Sequence, residues 1–99
     1  MEISQTENNG ATVLGLSGRL DTTTAPRLQA VLMEAFQTAR DIVLDFTDLT
    51  YVSSAGLRVL LLGEKTARAR GKSMALQNVP PEVMEVFEMT GFSNILTFV

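Results

Sequence analysis

Residues 41–61 read DIVLDFTDLTYVSSAGLRVLL, and they change character midway. Asp41 to Phe46 is rich in β-formers and mostly apolar, as a central strand requires. From about Ser54 to Arg70 the period becomes helical, with Leu57, Leu60, Leu61 and Ala67 on or near one face. Thr47-Asp48-Leu49-Thr50 reads as a loop between them. Ser53-Ser54 stands where the helix begins.

The flanks repeat the alternation. Downstream, Lys65, Arg68 and Arg70 suit the negative end of the helix dipole, and Gly71 suits the position after it. Ser73 to Asn78 reads as a strand. Pro80-Pro81 opens a third helix that turns Val83, Val86 and Phe87 inward and ends at Gly91. Ile95 to Val99 reads as a closing strand. Upstream, residues 20–37, LDTTTAPRLQAVLMEAFQ, place Leu28, Val31, Leu32, Ala35 and Phe36 on one stripe. One of Thr22 to Thr24 caps this helix, with Pro26 in its first turn. Ala11 to Ser17 reads as a strand closed by Gly18, and Met1 to Thr6 as an edge strand. Asn8-Asn9-Gly10 is the turn between those two. The expected order is β-β-α-β-α-β-α-β, an α/β fold in which helices pack on a mixed β-sheet, as a single domain over residues 1–99.

Composition narrows the function. Eight basic against eleven acidic residues give a net charge of −3, which disfavours a general nucleic-acid or anionic-membrane surface. With no cysteine and no histidine, disulfides, thiolate zinc sites, thiol catalysis and Ser-His-Asp triads are excluded. The first twenty residues lack a basic start followed by an apolar run, and the longest aliphatic run, Val59 to Leu62, is far too short to span a bilayer. A cytoplasmic domain is the expectation.

The candidate chemistry is sparse. Asp45 and Asp48 suggest Mg²⁺, but the acidic pair after the first strand that such a site wants is missing, so no metal is expected. Gly15 and Gly18 in GLSG lack the spacing of a phosphate loop, and no Walker sequence occurs. No cofactor and no enzymatic activity are expected. What remains is a binding domain whose regulated feature is the Ser53-Ser54 junction. Physically this pair has two readings: an N-cap for the orphan amides of the helix, or a hydroxyl placed where a phosphate is electrostatically tolerated.

Three stretches in order, GLSGRLDTTTAPRLQ (15–29), IVLDFTDLTYVSSAGLRVLL (42–61) and MTGFSNILTFV (89–99), resemble the anti-sigma-factor antagonists, the STAS-domain proteins of bacterial partner switching. Asp45 to Leu57 follows the pattern D-x-x-x-L-x-x-(V/I)-x-S-(S/A)-G-L. The resemblance implies the STAS fold and a partner that is both an anti-sigma factor and a serine kinase. It implies that the unphosphorylated domain sequesters this partner, that phosphorylation of one serine releases it, and that a PP2C-type phosphatase resets the switch. Aligned on Gly56-Leu57, the acceptor falls on Ser54. Ser53 is the runner-up, standing where many members carry aspartate, and Thr50 ranks third. Asp21 matches the acidic residue beside the acceptor loop. Tyr51, Val52 and Leu57 are expected to form a partly apolar rim that the partner docks against. Arg58, one turn further on, is expected beside the phosphate or in a salt bridge to the partner. A constitutive STAS subunit of a scaffold or transporter-associated complex, with Ser54 only a cap, is the alternative. A small nucleotide-binding domain is a more distant one. A monomer without nucleic-acid or membrane contacts is expected.

Overall fold

In the computed structural model, which describes residues 1–99, β1 (Glu2–Asn8) and β2 (Ala11–Leu20) form an antiparallel hairpin. Its two turn residues, Asn9 and Gly10, have φ of 54° and 84°. Asparagine and glycine tolerate this left-handed region, and a turn so built matches the strand twist. Helix α1 (Ala25–Thr38) then crosses to β3 (Asp41–Val52), and α2 (Ser54–Ala69) crosses to β4 (Ser73–Gln77). Both pairings, β2 with β3 and β3 with β4, are parallel, so the sheet order is β1-β2-β3-β4. Helix α3 (Pro81–Thr90) and a 3₁₀ turn (Phe92–Asn94) follow.

One sheet face carries the core. Leu14, Leu16, Leu20, Ile42, Leu44, Phe46, Met74 and Leu76 meet Leu28, Leu32 and Phe36 of α1, Leu57 and Leu60 of α2, and Val83 and Phe87 of α3. The opposite face, with Val13, Val43 and Ala75 in one register row, is only half-buried.

Four expectations change. First, β3 does not end at Phe46, and Thr47 to Thr50 is strand. Phe46, Leu49 and Val52 are all buried at a spacing of three, because two bulges interrupt the pairing with β2. Each bulge inserts a residue and shifts the inward positions by one, which disguises the period of two. Second, β2 continues past Gly18 to Leu20. Gly18 has φ of 93°, at the second bulge, and the Thr50 hydroxyl donates to its carbonyl at 3.0 Å. Third, Thr24 precedes α1 but makes no side-chain cap; Asp21 accepts the amides of Thr23 and Thr24 instead, at 3.0 and 3.2 Å. Fourth, the closing strand shrinks to one bridge between Leu76 and Phe98. The 3₁₀ turn uses the chain up to Leu96, whose amide donates to the Phe92 carbonyl at 2.9 Å, leaving three residues to pair. Phe98 still ties this segment to the core through Phe87, at 5.8 Å between ring centroids, and Phe87 meets Phe46 at 6.1 Å.

The basic reading of α2 also gains a detail. Glu64 is buried, and its carboxylate pairs with Nε of Arg68 at 2.9 Å. Arg68 in turn donates to the Ile95 carbonyl at 3.2 Å, holding the C-terminal segment against α2.

Asp45 lies on the half-buried face, near Asp48. One Asp45 oxygen accepts the Thr47 amide and hydroxyl at 2.9 and 2.6 Å, the other Gln77 and Asn78 at 3.1 and 3.3 Å. Partial burial pushes its pKa up, but the Thr47, Gln77 and Asn78 donors together outweigh it and hold the carboxyl below its ordinary 3.8. A carboxylate with a lowered folded pKa stabilises above its unfolded pKa and stops doing so as the pH falls through the folded one. Asp45→Asn is therefore expected to lower the thermal midpoint at neutral pH and to converge with wild type as the pH drops below 3.8. Melting curves against pH check this; a difference that grows on acidification would contradict it.

Candidate functional site

The two bulges build the site. At the start of the β2–β3 pairing Thr12 faces Ile42, an offset of 42 − 12 = 30; at its end Leu20 faces Val52, an offset of 52 − 20 = 32. Without this slip Leu20 would face Thr50. With it, the Ser53 amide donates to the Leu20 carbonyl at 2.9 Å. Asp21 and the head of α2 thus emerge side by side from the carboxyl ends of neighbouring parallel strands, the edge at which open α/β sheets place their binding sites.

The two serines divide the roles. Ser53, with φ −93° and ψ 175°, is the N-cap of α2, and its hydroxyl oxygen accepts the Gly56 amide at 3.4 Å. Ser54 is the first helical residue and is exposed, and no hydrogen bond within the chain engages its hydroxyl. The first turn of α2 holds no acidic residue, so the positive end of the helix dipole is uncompensated there. The hydroxyl of Thr50 is occupied by the bulge.

Asp21 serves the backbone as well as the surface. The Thr23 hydroxyl donates to Oδ1 at 2.8 Å, and the Thr23 and Thr24 amides join it. The Asp21 amide donates back to the Thr24 hydroxyl oxygen at 2.9 Å. Led by the Thr23 hydroxyl, these donors hold the carboxyl below its ordinary pKa against the raising effect of burial, so Asp21 is ionised at neutral pH.

The expected apolar rim is only partly present. Tyr51 is 40% exposed, but Val52 and Leu57 are 5% and 8% exposed and belong to the core. The slip of register turns Val52 inward, and Leu57 lies on the buried face of α2. Arg58 is exposed one turn beyond Ser54. A residue not singled out from the sequence joins the site: Arg19, paired with Tyr51 in the register, holds its guanidinium carbon 4.0 Å from the Tyr51 ring centroid and Nε 3.8 Å from Asp21. Its one sequence cue was proximity to Asp21; the partner across the strands depends on the bulges.

No group of three or more acidic side chains is placed to hold a metal ion, and no helix is long and apolar enough to cross a membrane.

The comparisons with known proteins agree with this architecture. The family profile described as "Mlab, STAS domain" matches residues 3–97. The anti-sigma-B factor antagonist of Listeria monocytogenes is 34% identical over 83 residues, covering 82% of this chain and 72% of its own. The anti-sigma F factor antagonist of Paenibacillus polymyxa is 31% identical over 98 residues, covering 97% and 84%. Among solved structures, the anti-sigma factor antagonist SpoIIAA in its unphosphorylated form aligns over 99% of this chain and 88% of its own, with a TM-score of 0.80 at 22% identity. The Bacillus SpoIIAA in its phosphorylated form aligns over 99% and 91%, with a TM-score of 0.74 at 23% identity, and both likenesses concern the fold. The chain belongs to the STAS domain family, and these curated relatives within it carry the name anti-sigma factor antagonist.

Proposed function

We propose that this chain is an anti-sigma factor antagonist that binds an anti-sigma factor with serine kinase activity, and that phosphorylation of Ser54 breaks the complex. The observation that carries the reading is the division of labour at the head of α2. Ser53 is spent on the cap, and Ser54 offers a free, exposed hydroxyl one residue later. The names of the curated relatives point to the partner class, and the likeness to both forms of SpoIIAA supports a fold that keeps its shape under a phosphate.

The mechanism is electrostatic. A phosphate adds a charge of about −1.5 to −2. At the first position of α2 the helix dipole tolerates it, so the fold survives. Inside an interface the same dianion loses water and must find a cation or leave. Binding is therefore switched without a rearranged backbone. The domain itself performs no chemistry in this scheme. A PP2C-type phosphatase restores the hydroxyl, and the cycle runs in the cytoplasm.

The test is direct. The chain is incubated with ATP and, in turn, each serine-kinase anti-sigma factor of its host, and the phosphate is mapped by mass spectrometry. One phosphate on Ser54 is expected, lost in Ser54→Ala and retained in Ser53→Ala. A phosphate on Ser53, or none with any kinase, would overturn the assignment.

A further inference from the structure

Arg19 is an exposed cation whose side-chain donors are unused within the chain. Its guanidinium stands over Tyr51, 4.0 Å from the ring centroid. Its single ionic neighbour, Asp21, lies 3.8 Å from Nε, too far for a hydrogen bond. None of the five N–H groups of its side chain donates to an acceptor within this chain. The Asp21 carboxylate meanwhile accepts at Oδ1 from Thr23 and Thr24. An exposed Arg–Asp contact of this kind adds little stability, so the fold does not require Arg19.

The placement is informative. Arg19 and Tyr51 face each other across β2 and β3, next to the ends from which Asp21 and Ser53-Ser54 emerge. Arginine and tyrosine are the residue types that concentrate binding energy at protein interfaces. Contact with the ring restricts the guanidinium before any partner arrives, which lowers the ordering cost of a two-pronged hydrogen bond. A guanidinium with no hydrogen-bond acceptor within the chain favours an acidic group opposite it, against the long-range repulsion from the net charge of −3.

We propose that Arg19, held over Tyr51, is the specificity-determining anchor of the docking face and receives a carboxylate from the anti-sigma partner. The inference rests on the function proposed above and names the chemistry by which that face selects its partner. Asp21 opposes an incoming acid at long range, but at 3.8 Å from Nε it takes none of the guanidinium donors. The phosphate of Ser54 is the other anion that Arg19 could meet, and the experiment separates the two.

Unphosphorylated wild type, Arg19→Gln, Arg19→Lys, Tyr51→Phe and Tyr51→Ala are titrated calorimetrically against the anti-sigma factor that wild type binds, at several salt concentrations. Arg19→Gln is expected to weaken binding at least about tenfold and to flatten its salt dependence. Arg19→Lys should fall between, because lysine keeps the charge without the fork. Tyr51→Phe should bind as wild type and Tyr51→Ala more weakly. The thermal midpoint of Arg19→Gln should match wild type within about 2 °C. Equal affinity of wild type and Arg19→Gln would overturn the inference while leaving the functional reading intact. That result would also be the outcome if Arg19 served only the phosphate. Failure of wild type to bind any anti-sigma factor of its host would overturn both.

Discussion

Gly56→Val is expected to yield no folded domain. A β-carbon at Gly56 would lie 2.7 Å from Cγ, 3.0 Å from Cδ2 and 3.1 Å from the carbonyl oxygen of Leu20. Neither obstacle can retreat. Leu20 is fully buried, and its carbonyl accepts the Ser53 amide that joins β2 to the head of α2. One methyl group forced into a packed core costs about 1–3 kcal/mol. Gly56→Ala should lose about that much even though alanine favours the helix. Valine adds two further carbons, against a total stability of about 5–15 kcal/mol for a domain of ordinary stability. Gly63 is the control. Its added carbon would meet the Met74 sulfur at 2.7 Å and Leu32 Cδ1 at 3.3 Å, and a thioether can swing aside. Gly63→Ala should lose less stability than Gly56→Ala, since its nearest obstacle is the end of a flexible side chain and not backbone. Circular dichroism melts decide the matter, and a cooperative transition for Gly56→Val near the wild-type midpoint would refute the packing argument.

Phosphorylated on Ser54, the domain is expected to lose affinity for its anti-sigma partner by at least about a hundredfold. An uncompensated charge enclosed at an interface costs about 3–5 kcal/mol, and each 1.4 kcal/mol is a factor of about ten. The fold should persist, since the phosphate meets the positive end of α2 and no acidic residue in its first turn. The thermal midpoint should hold or rise. Ser54→Asp carries one charge on a shorter arm, and an intermediate loss of about tenfold is expected. Ser53→Ala should behave in the opposite way. It removes the cap, at about 0.5–2 kcal/mol of stability, and leaves the binding face in place. Titration calorimetry of each form, paired with melts, separates the two serines. Undiminished binding by the phosphorylated chain would exclude the electrostatic switch.

Much of this fold is legible in the residues themselves. The three helices carry regular stripes and have proline or serine within their first two residues, so their signals are local. The Asn9-Gly10 turn is local for the same reason. The caps were half-legible: Ser53 does cap α2, whereas no threonine side chain caps α1, and Asp21 accepts the amides of the turn that precedes it. The misread positions share a cause. At Thr47 to Thr50 the inward residues recur every third position, and only the pairing with β2 explains this. Val52 and Leu57 flank Ser54 in sequence, yet the slip of register turns Val52 inward and Leu57 follows the apolar stripe of α2 into the core.

The alternation of strands and helices, the absence of thiol and imidazole chemistry, and the polar pair Ser53-Ser54 at a helix start are all set locally. These follow from residue type and local spacing, which act within a few residues. Which side chains surround that pair depends on how the strands are packed and paired. A two-residue slip between β2 and β3 brings Arg19 onto Tyr51, sets Asp21 beside the junction and turns Val52 into the core. That slip comes from pairing between segments about thirty residues apart, stabilised by Gly18 at positive φ and the Thr50 hydroxyl, and no local pattern encodes such a pairing.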